Sequence, residues 1–184
     1  MKIETPKLLL PRTGQTATSP TANYAVGDDG WFQAGNPRAT RFVDHGNGTI
    51  SDRATGLQWV KDPSQIGGAL GTPGTPATMT WADAVANCLG TEYGGSLAYA
   101  GFTDWRLPNM IELAGILVEN GWYRIPPAMV GVRGDYWSGT TWEKLTTYAY
   151  AARADNGSGN TLIAASKTGT YYVRPVRGGR VNNG

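Results

Sequence analysis

GFTDWRLPNMIELAGIL, residues Gly101 to Leu117, carries the strongest local signal for the fold. Leu107-Pro108 predicts an extended entry, because proline fixes its own φ and disfavours helical geometry in the residue before it. A helix is predicted to begin at Asn109, whose side chain caps the first turn and forms an Asn-x-x-Glu box with Glu112. Apolar residues at helical spacing define its buried stripe: Met110, Leu113, Ala114 and Leu117.

Upstream of this segment, the sequence predicts a hairpin, a further strand and a second helix. The hairpin joins Arg41–Val43 to Thr49–Asp52 through Asn47-Gly48, a dipeptide typical of tight turns. Thr55–Val60 alternates apolar and polar residues as a half-buried strand does. The helix begins after Thr80, a capping hydroxyl followed by Asp83 near the positive helix end. Its core-facing residues are predicted to be Trp81, Ala84, Val85 and Cys88.

Downstream, the pattern becomes strand-rich. Four strand-like pieces follow in order, DYWSGTTW (135–142), TYAYAARA (147–154), NTLIAAS (160–166) and TYYVRPVR (170–177). Asn156-Gly157 between the middle two is a second hairpin signal. Strands, two helices and more strands predict an α+β domain around one mixed core.

Composition excludes several classes of protein. A net charge of +2 does not favour nucleic-acid binding, and one cysteine, Cys88, excludes an intrachain disulfide or a cysteine-rich zinc site. No apolar run reaches the ~20 residues of a membrane span. The start MKIETPKLLLPRTG has too few consecutive apolar residues for the core of a signal peptide. Residues 1–40, rich in Thr, Pro, Ala and Gly, are predicted to form an extended arm before a domain at 41–184.

Five motifs in a fixed order carry a family resemblance: GTISDRATGLQWV (48–60), TWADAVANC (80–88), DWRLPNMIEL (104–113), YWSGTTW (136–142) and YYVRPVRGG (171–179). Together they resemble the domain family first described at the C-terminus of a bacterial collagen-like adhesin. That family is similar to the C-type lectin fold and to the lectin-like domain of formylglycine-generating enzymes. The resemblance implies a C-type lectin-like domain with two helices and a mixed, mostly antiparallel sheet.

The resemblance also bears on the motif residues themselves. It implies that Trp105 fills the space between helix and sheet, and that Arg106 binds backbone carbonyls or an acid such as Glu112 or Asp104. The other interpretation makes these two residues part of a ligand site. The same two interpretations apply to Tyr136, Trp137 and the pair Arg174 and Arg177.

The resembled family includes the variable proteins of diversity-generating retroelements, in which a lectin-like body displays changing residues as a receptor-binding surface. This implies a surface between about Arg133 and Lys167. The stretch from Thr146 to Ser166 consists almost entirely of residue types that an Asn codon yields when its two adenines are randomised. An ordinary Gly/Ser/Thr/Asn-rich loop region has a similar composition, so both interpretations stay open.

Within that region, Tyr, Trp, Arg and neighbouring polar residues are the types that dominate binding surfaces. Because strand side chains alternate, Tyr148 and Tyr150 should face away from Ala149, Ala151 and Arg153. We expect the tyrosine face to be outward. The predicted ligand-binding residues are Arg133, Asp135, Trp142, Tyr148, Tyr150, Arg153, Asp155 and Asn160.

The predicted partner is a protein or glycan receptor on a host or target cell, met at a virion or cell surface, and the chain could form a homo-oligomer. No cofactor is expected. An alternative is a constant adhesin domain that binds sulfated glycans through basic residues near the C-terminus. Those residues are Lys167, Arg174, Arg177 and Arg180, of which two arginines could instead be structural.

Enzymatic residues are scarce, and we expect no catalysis. His45 is the single histidine, and a hairpin is expected to hold it apart from Asp44 and Ser51. Cys88 lies on the predicted buried helix face, which disfavours the cysteine chemistry of formylglycine-generating enzymes. Gly46 and Gly48 occupy positions where a calcium loop needs oxygen ligands, so no metal site is predicted.

Overall fold

The computed structural model describes Phe32 and residues 37–119, 122–123, 126–130, 134–154 and 162–179. The predicted N-terminal arm falls almost entirely outside these residues and stays a prediction. A 3-10 turn at Arg38–Thr40 leads into the first strand.

The described residues form two α-helices and thirteen short strands. The helices are α1 (Trp81–Cys88) and α2 (Met110–Leu117). The strands are β1 (Phe42–Asp44), β2 (Thr49–Asp52), β3 (Gln58–Val60), β4 (Gly71–Thr72), β5 (Thr75–Pro76), β6 (Thr78–Met79), β7 (Val118–Glu119), β8 (Trp122–Tyr123), β9 (Gly134–Thr141), β10 (Tyr148–Ala154), β11 (Leu162–Ser166), β12 (Tyr171–Tyr172) and β13 (Val176–Arg177). Further 3-10 turns lie at Pro63–Ile66, Gly68–Leu70 and Thr91–Tyr93. The predicted α+β class is confirmed.

The strands are divided among several sheets. A five-stranded sheet has the order β11-β10-β9-β12-β6, and a four-stranded sheet has the order β1-β2-β3-β13. Pairing is antiparallel throughout both, except between β12 and β9, which are parallel. The prediction of a mixed, mostly antiparallel arrangement is confirmed, and the structure divides the strands between separate sheets. Pro175 separates β12 from β13, so the last predicted strand splits between the two sheets.

The core has two layers, one on each face of the five-stranded sheet, rather than a single mixed cluster. Trp105 and Ala151 belong to the layer with α1, and Leu113 and Ala152 belong to the layer with α2. Successive residues of β10 therefore serve opposite layers, as the alternation of a strand requires. Alanines at these positions allow both layers to pack closely on the sheet.

Both predicted helix caps are present. The Asn109 side-chain oxygen accepts from the backbone N–H of Ile111 at 2.9 Å and of Glu112 at 2.8 Å. A Glu112 carboxylate oxygen accepts from Asn109 N–H at 2.8 Å, which completes the box. At α1, the Thr80 hydroxyl oxygen accepts from Asp83 N–H at 3.4 Å. These contacts fix where each helix begins.

The first predicted hairpin is confirmed, with a different turn geometry. Gly46 and Gly48 have positive φ, at 71° and 88°, whereas Asn47 does not. The Asn47 side-chain oxygen instead accepts from Thr49 N–H at 3.1 Å. A Cβ added at Gly48 would also meet the Tyr99 hydroxyl, so a larger residue there would displace that side chain. The second hairpin signal, Asn156-Gly157, lies outside the described residues.

Candidate ligand-binding surface

Trp105 belongs to the frame of the domain. Its side chain is 0% exposed, and its indole N–H donates to the Tyr99 carbonyl at 3.1 Å. Tyr99 and Phe102 pack their rings against it, each at 6.3 Å between centroids. A ligand has no access to this residue, so the frame interpretation is confirmed for Trp105.

Arg106 connects the first turn of α2 to the segment that follows β13. It donates to both carboxylate oxygens of Glu112, at 2.8 and 2.7 Å, and to the Gly178 carbonyl at 3.0 Å. The hydrogen bond with Glu112 raises the pKa of the guanidinium. Glu112 therefore serves two structural partners at once, the helix cap and Arg106. Of the acids predicted for Arg106, Glu112 is the one bonded.

The predicted glycan role of Arg174 is wrong, because the side chain is 0% exposed. Its guanidinium donates to the backbone carbonyls of Val60, Lys61 and Val130. Burial lowers its pKa. Arg174 thus joins its own segment to the chain at Val60–Lys61 and at Val130.

Arg177 is engaged in the same kind of structural role. It donates to Asp104 at 2.5 Å and to Gln58 at 2.6 Å, and its guanidinium lies 3.8 Å above the Phe102 ring. Tyr136 and Trp137 are buried as well. Arg180 lies outside the described residues.

A bulge in β9 links the frame to β10. The register shifts between Ala149↔Thr141 and Ala151↔Trp137, so β9 carries extra residues there. Within the bulge, the Ser138 hydroxyl donates to the Tyr150 carbonyl at 2.7 Å, and Gly139 N–H donates to the Pro108 carbonyl at 2.7 Å. The strand is thereby held by the Ser138 hydroxyl and by backbone groups, and not by the tyrosine side chains.

Tyr148 and Tyr150 lie on the accessible face at this end of β10. Both are half-buried, whereas Ala149 and Ala151 between and beside them are 0% exposed. The register with β11 places Ser166 opposite Tyr148 and the exposed Ala164 opposite Tyr150. The Trp142 ring packs edge-on against Tyr148 at 6.0 Å. We call this group, Trp142, Tyr148, Tyr150, Ala164 and Ser166, the tyrosine surface.

The predicted site residues do not form one surface. Arg153 lies five residues beyond Tyr148, about 16 Å along the strand, and shares its face with Ala149 and Ala151. There it pairs with Asp135 at 3.0 Å. Arg133, Asp155 and Asn160 lie outside the described residues.

The family model of the Lcl C-terminal domain matches residues 48–177, a span that contains both helices and the tyrosine surface. The chain belongs to the Lcl C-terminal domain family. This is the collagen-like adhesin domain family that the five motifs indicated, and its adhesin-like character indicates an external binding partner. No curated protein matches the chain. In this Lcl C-terminal domain, no helix within the described ranges has the length and apolar character needed to cross a membrane.

Two features beside the tyrosine surface of this Lcl C-terminal domain were missed in the sequence. Met110 N–H donates to the Thr140 hydroxyl at 3.1 Å, which brings the first turn of α2 beside the β9 bulge. Ile111, the next residue, is 66% exposed, and Leu145 in the turn before β10 is 46% exposed. Helical spacing alone gave no signal for Ile111. Single exposed apolar residues are common, so Ile111 becomes informative only once the structure places it near the tyrosine surface.

Lys167 of the Lcl C-terminal domain holds a fixed position at the end of β11. Its ammonium lies 3.8 Å above the Trp81 ring and donates to the Thr141 hydroxyl at 2.8 Å. Among the described residues, no carboxylate pairs with it. The Trp81 indole N–H in turn donates to the Ser138 carbonyl at 2.9 Å, so the platform under the ammonium is itself held in place.

The expected separation of His45 from Ser51 is wrong, since His45 Nε2 lies 2.8 Å from the Ser51 hydroxyl oxygen on the exposed hairpin. Asp44 instead accepts from Lys61 at 2.6 Å and from Gly46 N–H at 2.9 Å, and these bonds lower its pKa. Cys88 is buried, and burial raises the pKa of its thiol. Within the described ranges, His, Cys, Asp and Glu form no cluster of three or more that could hold a metal.

Proposed function

We propose that this Lcl C-terminal domain is a non-enzymatic receptor-binding domain that displays a diversified surface on a constant C-type lectin-like frame. It would be the variable protein of a diversity-generating retroelement, acting at a virion or cell surface on a protein or glycan receptor. The observation that carries this proposal is the division of residues along β10. Tyr148 and Tyr150 face outward, while the alanines beside them pack in the core.

This division allows the outward side chains to change without loss of the strand. The backbone of β10 pairs with both β9 and β11, and the Ser138 hydroxyl binds the Tyr150 carbonyl. Among the described residues, no hydrogen bond uses the phenol hydroxyl of Tyr148 or Tyr150. Backbone pairing is indifferent to the outward side chains, which is what a diversified surface needs.

The chemistry of the surface supports binding by rigid aromatic contacts. Trp142 and Tyr148 pack edge-on, so each ring limits the motion of the other. Exposed apolar Ile111 and Leu145 lie in segments adjoining this end of the sheet. Large aromatic side chains bury area at low entropy cost and retain a polar group, which is why they dominate binding hot spots.

A first test uses the DNA that encodes the chain. The proposal expects an adjacent reverse transcriptase gene and a near-copy of the sequence that encodes Thr146–Ser166, differing at adenine positions. A locus with neither would contradict diversification and leave a constant binding domain.

A second test substitutes the surface. Replacing Tyr148, Tyr150, Asp155 and Asn160 together should leave the circular dichroism spectrum and melting behaviour near wild type, and should change which members of an array of glycans and cell-surface proteins are bound. Tyr93→Ser changes another half-buried tyrosine, in the 3-10 turn Thr91–Tyr93, and is the matched control that should bind as wild type. An unchanged binding profile in the fourfold variant would contradict the proposal.

A constant adhesin that binds sulfated glycans is the second candidate, favoured by the family and by Lys167. An ammonium without a carboxylate partner among the described residues is available to a sulfate. This candidate expects heparin binding that weakens with salt and is reduced by Lys167→Gln. Retention of heparin binding in that variant would exclude Lys167 from such a site.

A further inference from the structure

The five-stranded sheet ends in an edge strand, β11, that differs from the other strand edges described. β6 at the opposite edge has two residues and follows Pro76, and β1 and β13 at the edges of the four-stranded sheet have three and two residues. β11 has five residues, Leu162–Ser166, with no charge and no proline. Short length, charge, proline and bulges normally protect an edge from pairing with another chain. β11 lacks all four within its length.

The phase of the β10–β11 ladder shows which backbone groups point outward. Lys167 N–H donates to the Thr147 carbonyl at 2.9 Å, and the register stays constant from Tyr148↔Ser166 to Ala152↔Leu162. In an antiparallel pair this phase directs the backbone groups of Ile163 and Ala165 toward β10, and those of Leu162, Ala164 and Ser166 away from it.

Most of these outward groups have no partner among the described residues. The Ser166 carbonyl accepts from Gly169 N–H at 2.9 Å and retains a second lone pair. The N–H and C=O groups of Leu162 and Ala164 make no hydrogen bond to any described residue. Ala164 is itself exposed, so its small side chain leaves this edge open to a second backbone.

We propose that β11 pairs antiparallel with β11 of a second copy of this chain, centred on Ala164. In that register Ala164 faces Ala164 of the second copy, Leu162 faces Ser166, and about six backbone hydrogen bonds form. The pairing brings no like charges together within the strand, because Leu162–Ser166 carries no charge. The two five-stranded sheets become one continuous sheet across a two-fold axis.

The joined sheet places two binding surfaces side by side. Leu162, Ala164 and Ser166 share the face of Tyr148 and Tyr150, and the two-fold axis is perpendicular to the sheet, so both tyrosine surfaces face the same way. This consequence rests on the proposed function, whereas the pairing itself does not. One strand pair buries much less than the ~1,600 Å² of a standard interface, so the dimer should be weak and depend on concentration. Two linked sites would strengthen attachment to a receptor presented in many copies.

The test follows the mass of the 184-residue chain by sedimentation velocity over a series of protein concentrations. Wild type should pass from monomer to twice the monomer mass as concentration rises. Ala164→Pro removes an outward N–H without removing an inward one and is tolerated at an edge strand, so this variant should remain a monomer. Ala164→Val keeps the N–H with similar bulk and should dimerise like wild type.

A second variant covers the case in which proline disturbs the fold, as judged by melting temperature. Ala164→Lys sets two ammonium groups opposite each other across the two-fold axis and should also remain a monomer. Wild type that stays monomeric up to about 1 mM, a weak affinity on the usual scale, would overturn the proposal. Dimerisation of the proline and lysine variants like wild type would overturn it as well.

Different results would contradict the strand pairing and the proposed function. Each protein is compared with itself, on a surface densely coated with a ligand identified from the array and with the same ligand in solution. Wild type should bind the dense surface about 10²-fold more tightly than the ligand in solution, and monomeric Ala164→Pro should show no such gain, whatever its affinity in solution. An equal gain in Ala164→Pro and wild type contradicts the paired arrangement. If replacing Tyr148 and Tyr150 leaves binding intact while dimerisation persists, the proposed function fails and the pairing stands.

Discussion

The entry of α2 and the outer end of β10 both bind the β9 bulge, the first through Gly139 N–H to the Pro108 carbonyl and the second through the Ser138 hydroxyl to the Tyr150 carbonyl. They nevertheless use their side chains in opposite ways. At the α2 entry, Trp105 is enclosed and Arg106 binds both oxygens of Glu112. At β10, Tyr148 and Tyr150 contribute no hydrogen bond from their hydroxyls to any described residue. At the α2 entry, specific contacts require particular side chains. At the outer end of β10, the contacts hold the backbone and leave the outward side chains free to vary.

The largest contrast is expected from Trp105→Ala. Removing a fully buried aromatic side chain should destabilise the domain by roughly 3–5 kcal/mol, because the surrounding residues relax only partly and leave a cavity. Chemical denaturation measures the change. A variant with normal stability and lost ligand binding would place Trp105 in the site and not in the frame.

The helix cap gives a smaller effect in the same region. Asn109→Ala removes the oxygen that accepts from Ile111 and Glu112 N–H, and should cost about 1 kcal/mol of unfolding free energy. Asn109→Asp keeps an acceptor and is the matched control, expected to stay near wild type. An alanine variant as stable as the control would show that Arg106 and Glu112 position α2 without the cap.

The sequence predicts the α2 entry better than it predicts the outer end of β10. The cap box and the hairpin at Asn47-Gly48 are local, so a few residues suffice to specify them, and the motif order identified the family. The bulge at Ser138–Thr140 and the register of β11 depend on pairing between distant segments, which no local pattern determines. The predicted surface therefore combined Arg153 with Tyr148, although the strand separates them by length and by face.

On β10, substitution should have little effect on stability. Tyr148→Ser and Tyr150→Ser should each shift the unfolding free energy by about 0.5 kcal/mol or less if the outward positions are free to vary, and should alter binding. Thermal melts and the binding array are read on the same samples. Losses of several kcal/mol would mean that the tyrosines belong to the frame, and the contrast between the regions would disappear.

The smallest effect is expected from chelation. EDTA should leave the melting temperature and the principal binding activity unchanged, because neither region gathers the oxygen, nitrogen or sulfur ligands that a metal requires. Calcium added back is the control. A drop in melting temperature with EDTA that calcium reverses would reveal an ion in the frame or at the surface.

Sequencing the coding DNA from many independent isolates tests the central claim, a variable surface on a constant frame, most directly. We expect amino-acid changes at Tyr148, Tyr150 and the outward positions of β11, arising from adenine positions. Ala149, Ala151 and the segment from Trp105 to Pro108 should stay unchanged. Identical sequences at Tyr148 and Tyr150 in all isolates, or changes spread equally over outward and buried positions, would contradict the account.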